Sequence, residues 1–149
     1  LTSLCCIVGA TVSRASSEQI ETLAAVGVKL GMAFQIVDDV LDLTADQRKL
    51  GKPIGLDIAQ GMMTLPMIQV LERPEGQSLN GALVDGQAPS ETTMKLLIEA
   101  ILTSGAIDES YVVARQFLRE AQDLIRTLGK SDAAALLINL LEYAVNRTS

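Results

Sequence analysis

The sequence predicts an all-α protein. Apolar residues recur at three- and four-residue steps over most of its 149 positions. No stretch alternates with period two long enough to make a strand. Gly, Pro and Ser gather where the helical stripes break.

The first long stripe is Ile20, Leu23, Val26, Leu30, Phe34, Val37 and Leu41, which predicts one helix from Ser17 to about Thr44 with its core face on those residues. Ser16 or Ser17, with Gln19, Ile20 and Glu21 following, supplies an N-terminal cap. A polar hinge from Ala45 to Gly55 follows. Asp57 is placed to cap the next helix, and Pro66 in Thr64-Leu65-Pro66 either opens a new segment or kinks the old one. Arg73 to Ser90, with Pro74, Gly76, Gly81, Gly86 and Pro89, reads as a loop. Helix resumes over Glu91 to Thr103. After Gly105 an amphipathic helix carries Ile107, Tyr111, Ala114, Phe117, Leu118, Ala121, Leu124, Ile125 and Leu128, and Gly129 ends it. Ser131 or Asp132 caps the last helix, whose inward residues are expected to be Leu136, Leu137, Leu140, Leu141, Ala144 and Val145.

Composition narrows the chemistry. Hydrophobic residues are 48% and charged residues 20%, a globular balance, while aromatics at 3% force an aliphatic core. Without histidine, this stretch holds no Ser-His or Cys-His catalysis, no His-ligated metal and no imidazole switch. A net charge of −6 argues against nucleic acid or an anionic membrane surface as partner. Cys5 and Cys6 are adjacent, so they neither staple distant segments nor build a zinc cage. Buried free thiols in a reducing, cytoplasmic setting are the expectation. The longest uncharged run, Ile58 to Leu71, is 14 residues with Gln and Pro inside, so no integral membrane segment is expected. No secretory signal opens the chain. Its first residue, Leu1, lies inside an apolar run without a cap, which reads as a piece of a longer polypeptide.

The informative residues are Asp38, Asp39 and Asp42. Asp38 and Asp42 are neighbours one helical turn apart, and Asp39 shares their flank. Ionised carboxylates at that spacing repel, and Asp is a poor helix-interior residue. They follow Phe34 beside the predicted core stripe rather than interleaving with Lys on a solvent face. A compensating cation explains this; hard oxygen donors too few to enclose an ion point to Mg²⁺ sharing its remaining positions with water and phosphate. A solvated acidic surface is the other reading, and on these residues alone both stay open. The spacing does not fit a calcium loop. Asp46 continues the line one turn further, as outer support or surface. Gly27 and Gly31 on the same helix imply either room for something slender or tight helix packing. Lys52, in Gly51-Lys52-Pro53-Ile54-Gly55, is a loop cation just after the acidic helix.

Three blocks together carry a specific pattern: Gly31-x-x-Phe34-Gln35-x-x-Asp38-Asp39-x-x-Asp42, then Gly51-Lys52-Pro53-x-Gly55-x-Asp57, then Gly61-x-x-Thr64-Leu65-Pro66. This resembles the second aspartate-rich region of trans-polyprenyl diphosphate synthases, and Gly105-Ala106-Ile107 with Tyr111, Ala114 and the closing Tyr143-x-x-x-Arg147 extends the resemblance over essentially the whole chain. The resemblance implies an all-helical isoprenoid-synthase bundle, usually homodimeric, that condenses isopentenyl diphosphate with an allylic diphosphate. It implies Asp38 as a Mg²⁺ ligand, with Asp39 and Asp42 holding the ion directly or through water. It implies Lys52 on the departing diphosphate, and Phe34 and Gln35 against the substrates near the reacting carbons. Asp38 and Lys52 are then the catalytic residues.

The departures matter equally. The first aspartate-rich motif and the basic residues for isopentenyl diphosphate belong to the family's N-terminal half and are not in this sequence; Met62 stands where many members have Lys. Residues 1–149 are therefore expected to be the C-terminal portion of a synthase domain, inactive alone and with exposed apolar surface. A non-catalytic helical subunit of a heteromeric synthase, or less readily a terpene cyclase segment, are the alternatives. Product length is not legible, because in this family it is set largely near the absent first motif.

Overall fold

The computed structural model describes residues 1–44, 54–74, 76–80 and 88–147. Among these the order is α1 (Thr2–Val12), α2 (Ser17–Thr44), α3 (Leu56–Ala59), α4 (Leu65–Leu71), α5 (Gln77–Asn80), α6 (Glu91–Thr103), α7 (Ala106–Thr127) and α8 (Asp132–Asn146), with no strand among the described residues. The fold is all-α, as the periodicity requires.

The chain divides into two units, Leu1–Val37 with Val112–Thr148, and Asp38–Tyr111. In the first unit, Val26 and Leu30 of α2 pack with Ala121 and Ile125 of α7 and Leu141 and Ala144 of α8. Helix α1 is pressed directly onto α2. Thr2 Oγ1 donates to the Gly27 carbonyl at 2.7 Å and Ser3 Oγ donates to the Ala24 carbonyl at 3.0 Å. A side chain at Gly27 would lie 2.5 Å from the Ser3 Cα, so of the two readings for this glycine tight helix packing is the one realised. At Gly31 the obstacle is the Thr2 Oγ1, at 2.6 Å.

The second unit is built on Leu43, Ile58, Met67, Val70, Leu71, Leu97, Ile101 and Ala106, all buried. Arg73, just after α4, holds this unit's far corner by donating to the Ser104 carbonyl and pairing with Glu109 at 2.7 Å.

The caps are local and follow the sequence. Gln19 N–H donates to Ser16 Oγ while Gln19 Oε1 accepts from the Ser16 N–H, a reciprocal box at the start of α2. Ser90 Oγ accepts from the Thr93 N–H and Ser131 Oγ from the Ala134 N–H. Removing one such acceptor strands a helix-end donor. Ser90→Ala is therefore expected to cost about 1 kcal/mol, read as a lower urea midpoint with unchanged slope.

Several expectations are corrected. On α2 the buried residues include Ala33, Ile36, Val37, Val40 and Leu43, whereas Phe34 is 42% exposed and Leu41 only half-buried. Ala33 is too weakly apolar to stand out in a hydropathy pattern, but its small side chain permits close packing; one residue along, Phe34 is turned by about 100° off that line. Leu136 and Leu140 of α8 are exposed, so α8 buries a narrower stripe than its composition suggests. Cys5 is exposed and Cys6 half-buried, not a buried pair. The residue before α3 is Gly55, with Asp57 inside the first turn rather than capping it. Of the two readings for Pro66, opening a new helix is the one realised, with α4 starting behind Thr64, whereas α5 interrupts the expected loop. Helix α2 is long and apolar enough by length and composition to cross a bilayer, although its last turns carry Asp38, Asp39 and Asp42 and its apolar residues supply buried core positions. Exposed apolar residues run along α1 at Leu4, Val8 and Val12.

Candidate functional site

The acidic residues lie on the last turns of α2, in the second unit. Asp38 is exposed, and Asp39 and Asp42 are half-buried. Two backbone hydrogen bonds tie the returning chain to them. The Gly55 N–H donates to the Asp42 carbonyl at 3.1 Å, and the Asp57 N–H donates to Asp42 Oδ2 at 3.2 Å. Gly55 makes this return in the left-handed region, φ 73°, where a side chain would also meet Ile98 Cδ1 at 2.8 Å. The next turn is closed by the Met62 N–H on the Asp57 carbonyl, 2.9 Å.

This geometry adds a fourth carboxylate. Burial, then the negative charges of Asp42, Asp39 and Asp38, push the Asp57 carboxyl above its ordinary value. An acid raised in the folded state weakens the fold as it ionises, so the ionised group works against the unit unless a cation offsets it. Asp57 lay in the second motif block but looked like a cap, because a helix-start Asp has that local role far more often. Only the hydrogen bond across the hinge reveals its company.

The donors are hard oxygens, the set that Mg²⁺ or Ca²⁺ prefers. Among the described residues no three acidic or thiol groups converge tightly enough to hold an ion by themselves. Carboxylates spaced along a helix flank fan outward, which leaves coordination positions for oxygens from elsewhere. Thr64, which opens α4, is buried, and its Oγ1 has no hydrogen-bond partner among the described residues. Lys52 and Asp46 lie outside the described residues.

Phe34 and Gln35 are exposed and belong to the first unit, on the same helix α2. The Phe34 ring carries the Arg147 guanidinium 3.8 Å from its centroid, and Arg147 Nη2 donates to the Phe34 carbonyl at 3.1 Å. Sequence reading marked Arg147 only as part of a closing motif; 113 positions separate the pair, so no local pattern could join them. Two clefts also occur in the first unit. One of about 530 Å³ lies at the α7–α8 turn against Ile125, Lys130 and Ile138, and one of about 400 Å³ lies beside Ser16 and Thr127. Neither is lined by a residue that the sequence singled out for chemistry.

Comparison with known proteins agrees with the motif blocks. The polyprenyl synthetase family model matches residues 1–101. The chain is 33% identical over 139 residues to a short chain isoprenyl diphosphate synthase of Methanothermobacter thermautotrophicus, covering 93% of this chain and 43% of that protein. It is 32% identical over 147 residues to heptaprenyl diphosphate synthase component 2 of Bacillus subtilis, covering 99% and 42%. Among solved structures, heptaprenyl diphosphate synthase of Staphylococcus aureus superposes with a TM-score of 0.89 at 32% identity, over 99% of this chain and 46% of that one. A polyprenyl synthase of Caulobacter crescentus, complexed with calcium and isoprenyl diphosphate, gives 0.83 at 26%, over 99% and 46%. The chain thus spans less than half the length of each of these relatives. With two thirds of its residues inside the family model and its all-helical fold shared with these synthases, the chain belongs to the polyprenyl synthetase family.

Proposed function

We propose that the chain is the C-terminal portion of a trans-prenyl diphosphate synthase, and that Asp38, Asp39 and Asp42 form one of its two Mg²⁺–diphosphate half-sites. The observation that carries this reading is the return of the chain onto the acidic turn, where the Asp57 N–H donates to Asp42 Oδ2 at 3.2 Å. Burial first, then the charges of Asp42, Asp39 and Asp38, push the Asp57 carboxyl up, and a divalent cation would offset that charge. The Caulobacter relative, bound to calcium and isoprenyl diphosphate, supports the ligand class.

In this reading Asp38 and its neighbours hold Mg²⁺ through carboxylate oxygens, directly or through water. Bound there, the ion supplies Lewis-acid stabilisation of the charge that grows on a departing diphosphate. Lys52 contributes a second positive charge to the same leaving group. Phe34 and Gln35 line the path of the hydrocarbon and orient the allylic carbon toward the isopentenyl double bond. Ionisation of the allylic C–O bond, attack by that double bond and loss of a proton to the released pyrophosphate complete the condensation. No histidine is needed, in keeping with its absence from this stretch. The complete enzyme is a cytoplasmic homodimer, and the 149-residue chain by itself lacks the isopentenyl diphosphate site and does not turn over.

A second reading, a chain that works inside a heteromeric synthase, is favoured by the relative named as component 2. In that reading the chain is a helical subunit that works beside a catalytic partner, and the retained Asp38, Asp39, Asp42 and Lys52 count against a purely non-catalytic role.

The test is incubation of the full-length synthase with labelled isopentenyl diphosphate and allylic primers of graded length. Mg²⁺-dependent prenyl products that vanish with a chelator are expected from the single protein. Product only after a second subunit is added favours the heteromer, and no product under either condition overturns both.

A further inference from the structure

We propose that Arg147 is a positioning residue that clamps Phe34, setting the orientation of the aromatic ring along which the substrate hydrocarbon passes. The role rests on the prenyl-transfer reading; the clamp itself rests on geometry alone.

Phe34 is 42% exposed, so core packing does not fix its side chain. A phenylalanine on an open helix face samples more than one χ1 well unless something holds it. Arg147, the residue that terminates α8, reaches back to α2 with two contacts on this one residue. Its guanidinium lies 3.8 Å from the ring centroid, and its Nη2 donates to the carbonyl of the same residue at 3.1 Å. The two contacts are geometrically coupled. The carbonyl bond anchors the guanidinium to the helix backbone, and the anchored plane then accepts the ring in one orientation. Rotation of Phe34 about χ1 forfeits the cation–π contact, and withdrawal of Arg147 forfeits both. Both residues belong to the first unit, so the clamp does not depend on how the acidic unit is placed. The chain contains only two phenylalanines, and the other, Phe117, has the Lys29 ammonium 5.8 Å from its centroid, a longer contact.

Arginine is required for this, because its planar fork stacks and donates together. Lysine keeps the charge and can reach the carbonyl but offers no plane to the ring.

The experiment uses the full-length synthase with 4-fluorophenylalanine placed at position 34 alone. Arg147→Ala is expected to move and broaden the fluorine resonance, and Arg147→Lys to move it part of the way. In the unlabelled enzyme Arg147→Ala is expected to lower kcat roughly 10-fold with KM for the allylic diphosphate changed less than about 3-fold, because misplacement of a positioning group acts on the reacting geometry. Arg147→Lys should recover part of that loss, with helix content unchanged throughout. A fluorine resonance indifferent to Arg147→Ala overturns the clamp. A shifted resonance with wild-type kcat overturns the positioning role and leaves prenyl transfer intact. If the wild-type enzyme makes no prenyl product, the failure is that of the prenyl-transfer reading, and the assigned role falls with it whatever the fluorine signal does.

Discussion

Asp38→Ala in the full-length synthase is expected to lower Mg²⁺-dependent turnover by about 10²–10³-fold, the range for removing one preorganised electrostatic contact to a developing charge. Asp38 is exposed and on the solvent side of α2, so truncation opens no cavity in the unit's core. It also removes one of three negative charges that bear on Asp57. Its removal relieves repulsion on Asp57 and on Asp42 one turn away, about 0.2–0.5 kcal/mol per like-charge pair at helical spacing. The measurement is turnover against Mg²⁺ concentration. Turnover of the variant at the wild-type level, at the same Mg²⁺ requirement, would remove Asp38 from the site.

Gly27→Ala is expected to destabilise the first unit by about 1–3 kcal/mol, the usual cost of overpacking a close contact. The added methyl would sit 2.5 Å from Ser3 Cα, 2.8 Å from Ser3 N and 2.9 Å from the Thr2 carbonyl oxygen. All three are backbone atoms, which cannot turn aside, so α1 must lift from α2. Lifting also weakens the Thr2 and Ser3 hydroxyl bonds to the Gly27 and Ala24 carbonyls. Against this stands the intrinsic gain of about 1 kcal/mol for replacing glycine by alanine inside a helix. The clash wins because it involves backbone on both sides. Gly31→Ala is the internal comparison. There the obstacle is the Thr2 hydroxyl, the end of a side chain that can rotate, so the loss should be smaller. Urea unfolding of the two variants checks the order, and equal stability of Gly27→Ala and wild type would mean that α1 does not seat on α2 in this way.

The site was legible in the sequence to the extent that it is local. Asp38, Asp39 and Asp42 fall on one flank because helical spacing alone puts them there, and the three motif blocks identified the family from their order and separation. Phe34 was placed on the core stripe, yet it is exposed and Ala33 is buried in its stead, since hydropathy counts a phenylalanine above the alanine beside it. Asp57 and Arg147 escaped, because each acquires its neighbours across a hinge or across nearly the length of the chain.

What the sequence by itself determined is everything enforced within a few residues. The spans of the long helices, the caps at Ser16 and Ser131 and the acidic flank all follow from hydrogen bonds and side-chain spacings no longer than one turn. The tertiary structure alone decided which face of α2 is buried, why Gly27 carries no side chain, that Asp57 joins the carboxylates and that Arg147 holds Phe34. Those outcomes depend on backbones brought together from 15 to 113 residues apart, where steric fit and desolvation act on pairs that no periodicity encodes.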